Sequence, residues 1–179
     1  REVDFARFDT NFYGYFAFHG LKVARGALLK DGALFSARDV VVRYKLFQVV
    51  LRPRRWIKAI RRIEVREPSL TLDAREVFPE LGAGKGKPRP PSGPPALDPA
   101  VVPSAYMAVS GGSLVLTREG RAPLRLKNVK ANLNLRNYPR LEGGLWFTLL
   151  PETRVGANGF VNLSFRDFGG ALSLEKADM

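Results

Sequence analysis

The chain has no cysteine and a single histidine, His19. The first absence excludes disulfides, thiol nucleophiles and cysteine-ligated zinc, and the second excludes a site built from several histidines. Long apolar runs are also missing. None approaches the roughly 20 residues that a membrane-spanning helix needs, and no signal-peptide pattern is visible. Carboxylates are scarce beside cations, 17 Asp+Glu against 29 Lys+Arg, which leaves a formal net charge of +12. That balance favours anionic partners such as phospholipid headgroups or nucleic acid, with a merely solubilising surface as the plain alternative.

Catalytic signatures are just as sparse. No nucleophile-elbow motif surrounds a serine. The carboxylate pairs Glu64/Glu67 and Asp4/Asp9 have ordinary spacing. Residues 82–87 (GAGKGK) mimic a phosphate loop by composition but lack its Lys-Ser/Thr ending. The chain therefore reads as a non-enzyme with no cofactor and no metal. His19 is expected to be an ordinary strand-face residue near the apolar cluster.

What the sequence does have is alternation. Phe12, Gly14, Phe16 and Phe18 fall on one side of an extended segment, with Tyr13, Tyr15, Ala17, His19, Leu21 and Val23 on the other. The same two-residue period runs through Leu114/Leu116, Leu133/Leu135, Leu145/Phe147/Leu149 and Val161/Leu163/Phe165. With hydrophobic residues at 45%, a packed core is affordable. Turn signals at 9–11, 30–32, 137–139, 151–153 and 167–170 separate these segments, and strands joined by short turns predict an antiparallel sheet. The alternation slips phase between Leu126 and Val129, which predicts a bulge at Lys127-Asn128. Residues 110–113 (SGGS) predict another bulge or bend, and Pro68 places its strand at an edge or a bulge.

Residues 45–60 are the one helical candidate. Leu46, Phe47, Val50 and Leu51 recur at helical spacing, and Pro53 breaks or restarts the helix. Residues 76–104 change character, and the Pro/Gly-rich run within them cannot bury apolar area, so a flexible loop is expected there. The organisation is thus a first β unit with a short helix (1–75), the loop (76–104), and a second β-meander unit of the same sheet (105–179).

Two segments resemble the AsmA/TamB-like superfamily of bacterial envelope proteins. The first carries FHGLKV at 18–23, LFSARDVVV at 34–42, the short helix, and IRRIEVREPSLTL at 60–72. The second carries VSGGSLVL at 109–116 followed by LKNVKANL at 126–133. The order of these weak motifs over about two units is what is similar. The resemblance implies a long curled sheet that forms an open apolar groove. Its members are similar in architecture to chorein-type bridge proteins. They are thought to carry phospholipid between the inner and outer membranes, or to help assemble outer-membrane proteins. They are usually tethered in the inner membrane by an N-terminal helix. The present chain is expected to be a periplasmic piece of such a protein, with its tether upstream of Arg1 and an outer-membrane assembly partner.

The residues expected to line that groove are Phe16, Phe18, Val40, Val42, Leu114, Leu116, Leu133, Leu135, Leu145, Phe147, Val161 and Leu163, with phospholipid acyl chains as the ligand. Which phase of each strand faces inward stays open, because a one-residue slip inverts the faces. A second candidate site is the basic cluster Arg52, Arg54, Arg55, Lys58, Arg61 and Arg62, with Trp56 among them. Cations beside an aromatic-aliphatic stripe suit an anionic inner-membrane surface. The competing readings are a structural scaffold for envelope proteins that carries no lipid, and a basic nucleic-acid-binding module. For the latter, no helix-turn-helix, ribonucleoprotein signature or zinc spacing is present.

Overall fold

The computed structural model of the protein describes residues 2–24, 34–73, 102–118, 121–149, 153–163 and 167–176. The Pro/Gly-rich loop expected at 76–104 lies outside them up to residue 101. The first unit holds β1 (Glu2–Asp4), β2 (Arg7–Thr10), β3 (Tyr15–Ala24), β4 (Phe35–Tyr44), β5 (Ile60–Arg66) and β6 (Ser69–Asp73). Between β4 and β5 lie the helix α1 (Leu46–Leu51) and a 3-10 segment (Pro53–Ala59). The second unit holds β7 (Tyr106–Arg118), β8 (Arg121–Asn134), β9 (Arg140–Leu149), β10 (Thr153–Asn162) and β11 (Asp167–Lys176). All eleven strands belong to one sheet, in the order β1-β3-β4-β5-β7-β8-β9-β10-β11, with β2 beside β3 and β6 between β4 and β7.

The protein is mainly β, and the sheet is mostly antiparallel as expected, with a parallel junction that makes it mixed. Both β5 and β6 pair with β7 in parallel. Parallel neighbours need a crossover rather than a hairpin, and the chain between Asp73 and Tyr106 is long enough to return to the starting end. The pairing therefore joins the two units edge to edge, and every other pairing in the sheet is antiparallel.

Four residues across the sheet lie in the left-handed region: Gly20 in β3, Glu67 between β5 and β6, Gly111 in β7 and Asn128 in β8, with φ of 63°, 48°, 67° and 52°. Glycine adopts this geometry without a Cβ penalty, and Asn tolerates it better than most residues. These residues lie in a line across the sheet. A Cβ on Gly20 would touch Ala6 between β1 and β2, and one on Gly111 would touch Glu67. The Glu67 amide donates to Ser110 O at 2.7 Å, and the Ser113 amide to Pro68 O at 2.7 Å. Pairing of β7 with β8, and of β8 with β9, shifts register at this line. The bulges read from Lys127-Asn128, from 110–113 and from Pro68 are thus one continuous crease.

Directly paired residues share a face, so the register shows what the crease does. On one side of it, Phe8, Phe18, Val40, Val65, Val109, Ala131, Leu145, Ala157 and Leu172 are successive partners across nine strands. On the other side, Val3, Val23, Phe35, Leu70, Leu114, Leu126 and Leu149 are successive partners. Strand β9 contains no bulge and holds Leu145, Phe147 and Leu149 on a single face, so both rows occupy the same face. Each strand that slips phase is turned back at the crease. This corrects the simple alternation of 12–23: Leu21 and Val23 change face at Gly20, and Phe12 (φ 58°) belongs to the turn before β3. Strand β4 makes the same change between Ala37 and Val40 without a left-handed residue, beside the Arg38–Glu67 ion pair of 2.6 Å.

The turn before β3 is built by Asn11, whose Oδ1 accepts the amides of Tyr13, Gly14 and Tyr15. Helix α1 stops where Pro53 removes a donor, and the tighter 3-10 segment follows. Among the described residues this segment supplies cover at one place. Val42, Ile60 and Ala105 form a small buried cluster with Phe16, Ile57 and Ile63 packed on it, and among the described residues no large side chain is fully buried. Among the described residues no helix is long and apolar enough to cross a membrane.

Asn128 offers a direct test of the crease. Replacing Asn128 by Val should lower the unfolding free energy by about 1–2 kcal/mol, the cost of a left-handed β-branched residue, whereas Asn128→Gly should be close to neutral. Urea denaturation of the two variants checks this; equal losses would mean that the left-handed residue does not set the register.

Candidate functional site

The apolar face is the larger candidate. A second row of partners runs beside the first: Phe16, Val42, Ile63, Met107, Leu133, Gly143, Gly159 and Gly170. Its last three members have no side chain. They leave bare backbone between the row ending Leu145, Ala157, Leu172 and a further row of Leu141, Val161 and Phe168. The result is a depression of 590 Å³ lined by these apolar residues. It is not filled from within: Leu172 is 68% exposed and Phe168 80%. At the far end of the same face, Phe5, Phe8, Phe16 and Phe18 form an aromatic cluster with ring centroids 5.1–6.4 Å apart. Such contacts add modestly to the burial of the rings.

Most of the residues expected to line one surface do share it. Phe16, Phe18, Val40, Leu114, Leu116, Leu133, Leu145, Phe147 and Val161 lie on this face. Val42 also points there but is only 8% exposed, because the 3-10 segment covers it; it is core. Leu135 and Leu163 lie just past the ends of β8 and β10, so strand pairing does not place them on the face. Missed from the sequence were Phe168 and Leu172 and the glycine row. The signal was available as Gly143, Gly159 and Gly170, but their alignment depends on a register that no local pattern specifies.

The opposite face is polar. Its partners include Asp9, Ala17, Val41, Glu64, Ala108, Asn132, Gly144, Asn158 and Ala171. His19 sits here, with Nδ1 2.6 Å from Asp39 Oδ1 and Nε2 3.1 Å from Asp9 Oδ2. It is on the reverse of the aromatic cluster, not near it as expected, because residues 18 and 19 project to opposite sides. Arg7 Nε donates to Asp9 Oδ1 at 2.8 Å. Glu64 gathers Arg62 at 2.8 Å and Arg66 at 3.5 Å. Among the described residues no set of three or more His, Asp or Glu side chains converges to hold a metal ion.

The basic cluster divides. Arg62 belongs to the polar face, bound to Glu64 and lying over the Tyr106 ring at 5.6 Å. Lys58 donates to Val102 O at 2.7 Å. Arg52, Arg54, Arg55 and Trp56 are exposed, Trp56 to 54%. Beside them Phe47, Val50 and Leu51 are exposed to 79, 68 and 73%. Their helical spacing makes an apolar stripe, and α1 buries no residue of it. Phe12 and Tyr13 are exposed at the same end, tied to β4 through Tyr44, whose hydroxyl donates to Phe12 O at 3.0 Å. Cations and unburied aromatics therefore share one end of the molecule.

No family model, no curated protein and no solved structure matches the chain.

The Arg7 guanidinium holds the Asp9 carboxyl below its ordinary value of 3.8, with His19 acting in the same direction against partial desolvation. A carboxyl depressed in the folded state stabilises the fold above its unfolded pKa, and that contribution is lost as pH falls through the folded value. Thermal melts from pH 5 down to pH 2 should therefore show a smaller loss of midpoint for Asp9→Asn than for the wild-type protein, with the variant the less stable of the two at neutral pH. Parallel profiles would mean that the cluster around Asp9 contributes nothing to stability.

Proposed function

We propose that the protein is a non-enzymatic lipid-binding segment, in which phospholipid acyl chains lie along the apolar face and headgroups stay in water. One observation carries this reading: the glycine row forms a bare strip between two apolar rows, open to solvent and running across the strands. Strands stand about 4.8 Å apart, so the strip from β9 to β11 extends roughly 10 Å, part of the length of an acyl chain. Buried apolar area contributes about 25 cal/mol per Å², which a chain seated on this strip would gain and a hydrated headgroup would not oppose. A scaffold would gain nothing from leaving Phe168 and Leu172 bare.

The resemblance to AsmA/TamB-like envelope proteins supports the same reading. On it, the chain is part of a longer curled groove in the periplasm, tethered to the inner membrane from outside this sequence and acting in phospholipid transport or outer-membrane biogenesis. The exposed Phe47, Val50, Leu51 and Trp56, beside Arg52, Arg54 and Arg55, suit contact with an anionic membrane surface, where each cation contributes about 1 kcal/mol.

Native mass spectrometry after gentle purification tests the lipid reading. The wild-type chain should carry phospholipid, and Leu145→Asp or Leu172→Asp should remove it while circular dichroism stays unchanged; a lipid-free protein that also fails to take up a fluorescent phospholipid would leave the scaffold as the better account. For the membrane contact, Trp56→Ala combined with Val50→Ala should weaken co-sedimentation with vesicles containing phosphatidylglycerol by about tenfold. An unchanged vesicle affinity would remove α1 from the contact.

A further inference from the structure

Residues 45–63 contain seven Lys and Arg and no Asp or Glu. Four of the cations recur at intervals of three: Arg52, Arg55, Lys58 and Arg61. The 3-10 segment Pro53–Ala59 is kinked at Arg55 (φ −122°, ψ 27°), Arg52 caps it and Arg61 lies in β5, so turns and a strand start, not one helical repeat, carry the four. Arg55 N–H donates to Arg52 O at 2.9 Å, which folds the first two cations onto one side.

The four cations line one cavity of 480 Å³, together with Gln48, Leu51, Ala59 and Ser104. A volume of this size is in the range of ligand pockets. Among the described residues its lining contains no carboxylate. Arg61 is half-buried, and its Nε is buried with no hydrogen-bond partner. A buried donor on a charged group that makes no bond costs more than the bond would have contributed, and such orphans call for an explanation. Arg62, one residue on, has its carboxylate in Glu64. Among the described residues nothing plays that part for Arg61.

We propose that Gln48, Arg52, Arg55, Lys58, Arg61 and Ser104 form a binding site for a phosphate-bearing anion. Guanidinium groups match phosphate oxygens in pairs of parallel N–H bonds, and each such bond to a charged group is stronger than a neutral one. Gln48 and Ser104 add neutral hydrogen-bonding groups. The anion would satisfy the buried Nε and relieve the mutual repulsion of four convergent cations. Two sources share this chemistry: a phospholipid headgroup and a free phosphate compound. The site bears on the lipid reading only in the first case. There Ile60, between the pocket residues Ala59 and Arg61, belongs to the apolar cluster with Val42 and Phe16 at the end of the apolar face. A phosphate held in the pocket would then anchor a lipid whose chains lie along that face.

Isothermal titration of the full chain at low ionic strength tests the site, with inorganic phosphate, glycerol 3-phosphate and dihexanoyl phosphatidic acid as probes. Phosphate should bind saturably with one site per chain. Arg55→Gln and Arg61→Gln should each weaken it about tenfold, the loss of one charge-assisted bond. Arg54→Gln removes the same charge from the same segment but lies outside the pocket, and should change affinity less than about twofold. Non-saturable binding, or an equal loss in Arg54→Gln, would overturn the proposal in favour of a diffuse basic surface. If Arg61→Gln proves unfolded by circular dichroism, the comparison of Arg55→Gln with the Arg54→Gln control decides. Tighter binding of dihexanoyl phosphatidic acid than of glycerol 3-phosphate would support a lipid headgroup as the occupant. Equal binding would support the site with a free phosphate compound, and would stand even if the apolar face bound no lipid.

Discussion

Everything in this molecule depends on the strict period of two in an extended strand. A strand that slips by one residue sends its apolar side chains to the other face. Here β3, β5/β6, β7 and β8 all slip, and all do so at the same transverse line. Gly20, Glu67, Gly111 and Asn128 take up left-handed backbone there. The turn that each introduces returns Val23, Leu70, Leu114 and Leu126 to the face occupied by Phe18, Val65, Val109 and Ala131. Without that line, the sheet would carry apolar side chains on one face at one end and on the reverse at the other. With it, a single apolar face runs along the whole sheet, and the ion pairs of Arg7, His19, Arg38 and Glu64 stay on the polar side.

Among the described residues, the apolar face is then left almost uncovered. The short 3-10 segment reaches only as far as Val42, Phe16 and Ile63, and that is where the buried cluster forms. Stability must come chiefly from ladder hydrogen bonds and cross-strand pairs rather than from a large core. An exposed apolar surface of this extent marks an interaction site in a natural protein. The glycine row gives that surface a shape, since side chains rise on both sides of a strip that has none. The basic end and the apolar face meet at Ile60, so the features that suit a charged headgroup and an acyl chain are contiguous.

Much of the fold was legible in advance. Alternation identified nearly every strand, and the helix and its break at Pro53 followed from spacing and from the missing donor. The slip between Leu126 and Val129 located the bulge at Asn128. These features are local, so a local pattern can report them. The candidate site was legible only in part. Phe18, Val40, Leu133 and Leu145 share one face, but Val42 is covered and His19 lies on the reverse face. The basic run looked like one cluster. The fold separates Arg62, held by Glu64, from the stripe of Arg52, Arg55, Lys58 and Arg61.

The sequence by itself determined the β class, three of the positions where strands bend, and the excess of positive charge, because propensity, phase and composition are properties of neighbouring residues. The tertiary structure alone decided that β5 and β6 run parallel to β7, that four left-handed residues align into one crease, that three glycines fall side by side, and that four cations line one cavity. Each of these depends on pairing between residues far apart in the chain, and hydrogen-bond register across strands leaves no trace in the order of residues along any one of them.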